Sequence, residues 1–104
     1  MGPNRARAEV EAVIDGEPRV LKLTLGALSA LEASLDPPDL IALIERFEAG
    51  RPTAKDVVGV ISAGLAGGGV ALAPDADGPA VEGGVAGAYR LAAELLTAAF
   101  ADSP

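Results

Sequence analysis

The chain has 104 residues and contains neither cysteine nor histidine. The first absence removes disulfides, thiolate metal sites and cysteine nucleophiles, and it suits a reducing compartment, so a cytoplasmic location is expected. The second removes the usual general base and the commonest transition-metal ligand. Tryptophan is also missing, and the only aromatics are Phe47, Tyr89 and Phe100, although 50% of the residues are hydrophobic. The core must therefore be built from small aliphatic contacts of Ala, Val and Leu. Positive charge is scarce: 8 Lys and Arg stand against 15 Asp and Glu, giving a net charge of −7. No Lys/Arg cluster offsets that field locally, and a phosphate backbone would be repelled, so nucleic acid is not an expected partner. After Asp56 the only basic residue is Arg90, against Asp75, Asp77, Glu82, Glu94 and Asp102. The C-terminal half is acidic, as a solvated face or a surface for a basic partner would be.

Long apolar runs are lacking too. Val57 to Ala73 carries no charge, but it contains five glycines and falls short of the roughly twenty apolar residues that a membrane span needs. Met1 to Glu11 alternates charge and has no apolar centre, so it does not read as a signal peptide. Pro3 after Gly2, with Ala6 where Ser or Thr is wanted, argues against myristoylation.

What is present begins with a change of period. Val10, Ala12 and Ile14 alternate with Glu9, Glu11 and Val13, and Leu21, Leu23 and Leu25 alternate with Val20, Lys22 and Thr24. Two strands with one apolar face each are expected over 8–25. Asp15-Gly16 signals a tight turn, while Pro18, which cannot donate to a ladder, favours a four-residue loop from Asp15 to Pro18. Both loops are even in length, so the same residues stay on one face and Lys22 falls opposite Glu9 or Glu11 as a cross-strand ion pair.

From Leu25 the spacing becomes helical, with Leu28, Leu31 and Leu35 recurring, and a helix over 26–35 is expected. Asp36-Pro37-Pro38 ends it. A second helix, 38–49, has Leu40, Ile44 and Phe47 as its inner stripe, Glu45, Arg46 and Glu48 towards water, and Gly50 as a C-terminal cap. Thr53 caps a third helix, 53–66, with Asp56 in a capping-box position. That helix is apolar almost all round, and Gly59, Ala63 and Gly67 form a groove open to close approach by another backbone. A Gly/Pro-rich loop over 67–84 precedes a last helix, 85–101, in which Val85, Tyr89, Ala92, Leu96 and Phe100 form one stripe and Leu91 and Leu95 the next. The expected fold is α+β, a single small domain over 1–104 with an N-terminal antiparallel β-hairpin packed on three to four α-helices.

Chemistry is hard to find in this pattern. Around Ser62, Val60 stands where a nucleophile elbow needs glycine, and no histidine exists to activate the hydroxyl. Gly67-Gly68-Gly69 lacks the following Lys-Ser/Thr of a phosphate loop and reads as a helix stop. Glu45 with Glu48, and Asp75 with Asp77, lack the apolar pocket or ligand spacing of a catalytic or calcium site. No catalytic residue, cofactor or metal site is expected.

The order of elements carries more information. The segments Ile14-Asp15-Gly16-Glu17, Leu23-Thr24-Leu25-Gly26-Ala27-Leu28, Leu31-Glu32, Ile44-Glu45-Arg46-Phe47 and Thr53-Ala54-Lys55-Asp56-Val57, followed by a Gly-rich stretch before the last helix, run through nearly the whole chain. Together they resemble the small tail-assembly chaperone family of gene transfer agents and related tailed phages; Ala71 to Val81, with two prolines and two aspartates, departs from the pattern. The resemblance implies a non-enzymatic protein that holds a tape-measure-like tail protein soluble during tail assembly. A structural tail component retained in the particle is the alternative. The surplus apolar surface of the last two helices would bind the partner, through Val57, Val60, Ile61, Leu65, Tyr89, Leu96 and Phe100, and a homo-oligomer is compatible with it.

Overall fold

The computed structural model describes residues 9–35, 38–69 and 80–100. The Asp36-Pro37 break, most of the Gly/Pro-rich loop with Asp75 and Asp77, and the last residue expected of the final helix lie outside them. The elements are β1 (Glu9–Ile14), β2 (Glu17–Lys22), α1 (Leu25–Ser34), α2 (Leu40–Glu48), α3 (Ala54–Gly67) and α4 (Gly84–Phe100), an antiparallel hairpin followed by four helices. The fold is α+β, as the change of period near Leu25 implies.

The hairpin closes through two residues. Asp15 and Gly16 have φ of 53° and 81°, the paired positive values of a type I′ turn, whose twist matches that of the strands. Ile14 pairs with Glu17, and Val13 with Pro18. The four-residue loop that Pro18 suggested is therefore not formed. In a two-residue hairpin the pair next to the turn exchanges both hydrogen bonds and the following pair none, so Pro18 sits where its missing N–H faces away from β1. Lys22 stands opposite Glu9, as the register required. The expected ion pair between them is not among those the described residues form, which are Glu17–Arg19 and Arg46–Asp56.

The inner face of the sheet carries Ile14, Leu21 and the following Leu23, all buried. Alternation stops one residue earlier than the sequence pattern suggests. Thr24 is extended and its hydroxyl accepts from the Ala27 amide at 3.0 Å, capping α1, so Leu25 becomes the first helical residue and is 85% exposed. A capped helix start overrides strand parity here, because an unpaired first-turn N–H costs more than one exposed leucine.

The centre of the fold is α3, which packs against β2, α1 and α4. Its glycines explain how. A Cβ on Gly59 would press on Leu31, one on Gly64 would meet Leu95 and Leu21, and those on Gly67 and Gly68 would overlap the carbonyl oxygens of Lys22 and Val20. The small-residue groove is thus filled from within the chain, by Leu31 of α1 at Gly59 and by the backbone of β2 at Gly67. Those two carbonyls belong to non-hydrogen-bonded positions of the hairpin and point out of its edge, so the last turn of α3 covers the edge that β1 leaves open. On the other side β1 is met near the turn by residues 80–82: the Glu82 amide donates to the Val13 carbonyl at 3.1 Å, the Asp15 amide to the Ala80 carbonyl at 2.7 Å, and the Ala80 amide to the Asp15 carboxylate at 3.0 Å. Val81 forms an isolated bridge to Ile14.

α2 ends in a Schellman arrangement: Gly50 has φ 72°, its amide donates to the Phe47 carbonyl and that of Arg51 to the Arg46 carbonyl. Leu43 and Phe47 are its buried residues, with Leu40 and Ile44 half-buried and Ile41 65% exposed. The inner stripe is therefore rotated from the Leu40–Ile44–Phe47 line towards Leu43. One hydrophobic cluster joins these side chains to Leu31, Val60, Ile61, Leu65, Leu91 and Leu95.

Candidate functional site

Among the described residues the buried charged group is Asp56, 5% exposed in the first turn of α3. Thr53 and Asp56 complete the capping box: the Asp56 amide donates to the Thr53 hydroxyl at 3.0 Å, and the Thr53 amide donates to the Asp56 carboxylate at 2.9 Å. Both carboxylate oxygens also accept from Arg46 on α2, from Nε at 2.7 Å and Nη2 at 2.9 Å. The Arg46 hydrogen bonds hold the Asp56 carboxyl below the usual aspartate range; the Thr53 amide adds to this, and burial opposes it. Arg46 is shifted upward by the same bonds. The sequence pattern found the cap but put Arg46 towards water, because helical spacing shows which face a residue occupies and not what the neighbouring helix brings to it. Three of the roughly four acceptor sites of this carboxylate are taken by Arg46 and Thr53, and the bidentate pair joins α2 to α3.

The seven residues expected to bind a partner do not form a common surface. Val60, Ile61, Leu65 and Leu96 are 0%, 1%, 0% and 5% exposed and belong to the core. Val57 is half-buried against the same core, and Tyr89 is half-buried, with its hydroxyl donating to the Phe47 carbonyl at 3.3 Å and its ring tilted against Phe47. Phe100 alone is half exposed. The apolar width of α3 and α4 is consumed by β1, β2 and α1, which pack on them from several sides. Val60, Ile61, Leu65 and Leu96 are therefore used up inside the fold and offer no surface to a partner.

The surface offers a different feature. On the outer face of the hairpin a groove of about 380 Å³ is lined by Glu11, Ala12, Val13, Pro18, Arg19, Val20 and Glu82. Val13 and Pro18 are a non-hydrogen-bonded cross-strand pair, in which side chains stand closest. No sequence signal marked this face, since Val13 and Val20 were assigned to the polar side of each strand. Among the described residues no group of three or more His, Cys, Asp or Glu is placed to hold a metal ion, and no helix is long and apolar enough to cross a membrane.

A family model described as phage tail tube protein, GTA-gp10, matches residues 7–102. No curated protein and no solved structure gives a significant match. The family match agrees with the connection to gene transfer agents and phage tails, but it corrects the functional reading. A tail tube protein is a structural component of the tail, so the expectation of an assembly chaperone holding a tape-measure-like client is overturned. The burial of Val60, Ile61, Leu65 and Leu96 removes the physical motive for that expectation as well. With the match leaving out only the first six and the last two residues, the chain belongs to the phage tail tube protein family, GTA-gp10.

Proposed function

We propose that the protein is a structural subunit of a phage-like tail, retained in the particle and assembled there with further tail components. The observation that carries this reading is the family match over residues 7–102. The fold supports it in a second way. Two of its polar interactions, the Arg46–Asp56 pair and the clasp of residues 80–82 on the hairpin, tie elements of the chain to one another. A subunit that works by shape has use for such internal rigidity. Of the seven residues first expected to meet a partner, those outside the core, Phe100 with the edges of Val57 and Tyr89, stay available for contacts between tail components.

The test is the copy number of the chain in purified particles, measured by quantitative mass spectrometry against another tail protein. A structural subunit is present in many copies per tail. Its absence from intact particles would overturn the proposal.

A further inference from the structure

The outer groove of the hairpin and the exposed start of α3 are complementary in charge and apolar character, and they lie at opposite ends of the same helix. The groove is lined by Val13, Pro18 and Val20 together with Glu11 and Glu82; Arg19, the one cation that also lines it, is paired with Glu17 at 3.5 Å, so the acidic character of the groove comes from Glu11 and Glu82. The start of α3 presents Val58, 41% exposed, one turn from exposed Lys55, with exposed Arg51 just before the cap. Lys55 and Val58 are three residues apart and therefore share a helix face. Neither Arg51 nor Lys55 forms an ion pair among the described residues, in contrast to Arg46 on the neighbouring turn. The last turn of α3 is fixed against β2 at Gly67 and Gly68, and twelve residues of helix place Lys55 about 18 Å away along the axis. One chain therefore cannot fill its own groove with its own helix start.

We infer that the hairpin groove of one copy receives the Arg51–Lys55–Val58 face of the next copy, in a head-to-tail contact. This rests on the reading of the chain as a structural tail subunit and says which of its surfaces meet. The charge distribution selects the arrangement. A two-fold contact of groove with groove would bring Glu11 and Glu82 of both copies together, and like charges facing across an interface are repelled. The head-to-tail contact sets each carboxylate pair against a cationic pair and buries Val58 on Val13, Pro18 and Val20. Because the two surfaces differ, every copy keeps one of each free after docking, and association continues into a ring or a filament.

The experiment is a charge swap in the full chain, read by sedimentation velocity at low and high salt. Wild-type protein self-associates with rising concentration, less so at high salt. One variant carries Glu11→Lys and Glu82→Lys, the other Arg51→Glu and Lys55→Glu, and each alone self-associates at least about tenfold more weakly because like charges now face each other. An equimolar mixture of the two recovers association, since the reversed groove of one meets the reversed helix of the other. All four positions are exposed, and far-UV circular dichroism verifies the fold; Glu11→Gln with Glu82→Gln replaces the groove reversal, and Arg51→Gln with Lys55→Gln the helix reversal, should either unfold. Wild-type protein that stays monomeric, a variant that assembles as wild type does, or a mixture of folded variants that fails to associate overturns the inference. If such a failure accompanies a high copy number in particles, the tail reading stands and only this surface is wrong; absence from particles removes the reading itself.

Discussion

Adding one methyl group to Gly67 should destabilise the fold, whereas adding the same group to Gly26 should not. A Cβ on Gly67 would sit 1.9 Å from the Lys22 carbonyl oxygen, 3.0 Å from its carbon and 3.3 Å from the Thr24 amide nitrogen. These are backbone atoms of the chain leaving β2 for α1, and they have no rotamer with which to move aside. Relief requires the last turn of α3 to lift off the sheet, loosening Gly64 and Leu65 from Leu21 and Leu95. Overpacking of this kind costs about 1–3 kcal/mol or more, against a helix-propensity gain of at most about 1 kcal/mol from replacing Gly by Ala. Overpacking wins by about 1–2 kcal/mol, which for a chain of this size lowers the midpoint by roughly 4–8 °C. At Gly26, in the first turn of α1, the nearest atom to an added Cβ is the Thr24 hydroxyl oxygen at 3.9 Å, ordinary contact. There only the propensity gain remains, a few tenths to about 1 kcal/mol in favour of the variant. Thermal and urea denaturation followed at 222 nm measures both. Gly67→Ala melting at or above the wild-type temperature, or the two variants shifting in the same direction, would refute the close approach of α3 to β2.

Leu21→Ala, at a side chain with 0% exposure, should cost about 2–5 kcal/mol, while Leu25→Ala, at 85%, should stay within about 0.5 kcal/mol, although strand alternation treats the two positions alike; urea midpoints decide. Asp56→Asn should lose about 1–3 kcal/mol at neutral pH through weakened hydrogen bonds to Arg46 and Thr53, seen in the same denaturation assay. Because the folded Asp56 pKa lies below its unfolded value, its contribution is complete above roughly pH 4 and disappears as pH falls through the lowered value; a stability–pH curve should therefore be flatter on its acid limb in Asp56→Asn than in wild type. Thr53→Ala, which removes the hydroxyl half of the capping box, should cost about 1 kcal/mol, and an unchanged melting temperature would show that the cap contributes nothing.

The sequence by itself determined the features that depend on neighbours along the chain. Asp15-Gly16 marks where the hairpin turns, although Pro18 pointed to a longer loop than the two-residue one that forms, and the period of two on either side specifies which strand faces are apolar. Thr53 with Asp56 and Gly50 mark helix ends because orphan N–H and carbonyl groups must be satisfied within a few residues. Tertiary structure decided everything that depends on which surfaces meet. Gly59 and Gly67 announce close approach, but a missing side chain is equally open to an external helix or to the chain's own elements, and only folding brought Leu31 to Gly59 and the Lys22 carbonyl to Gly67. Val60, Ile61, Leu65 and Leu96 read as surplus apolar surface until the hairpin and α1 cover α3 and α4 from several sides. Arg46 reaches Asp56 across ten residues of chain and a helix boundary, and Glu82 reaches the edge of β1 across nearly the whole fold. The groove between Glu11 and Glu82 exists only after that second closure, since burial, charge pairing and grooves arise between segments whose distance along the chain carries no periodic signal.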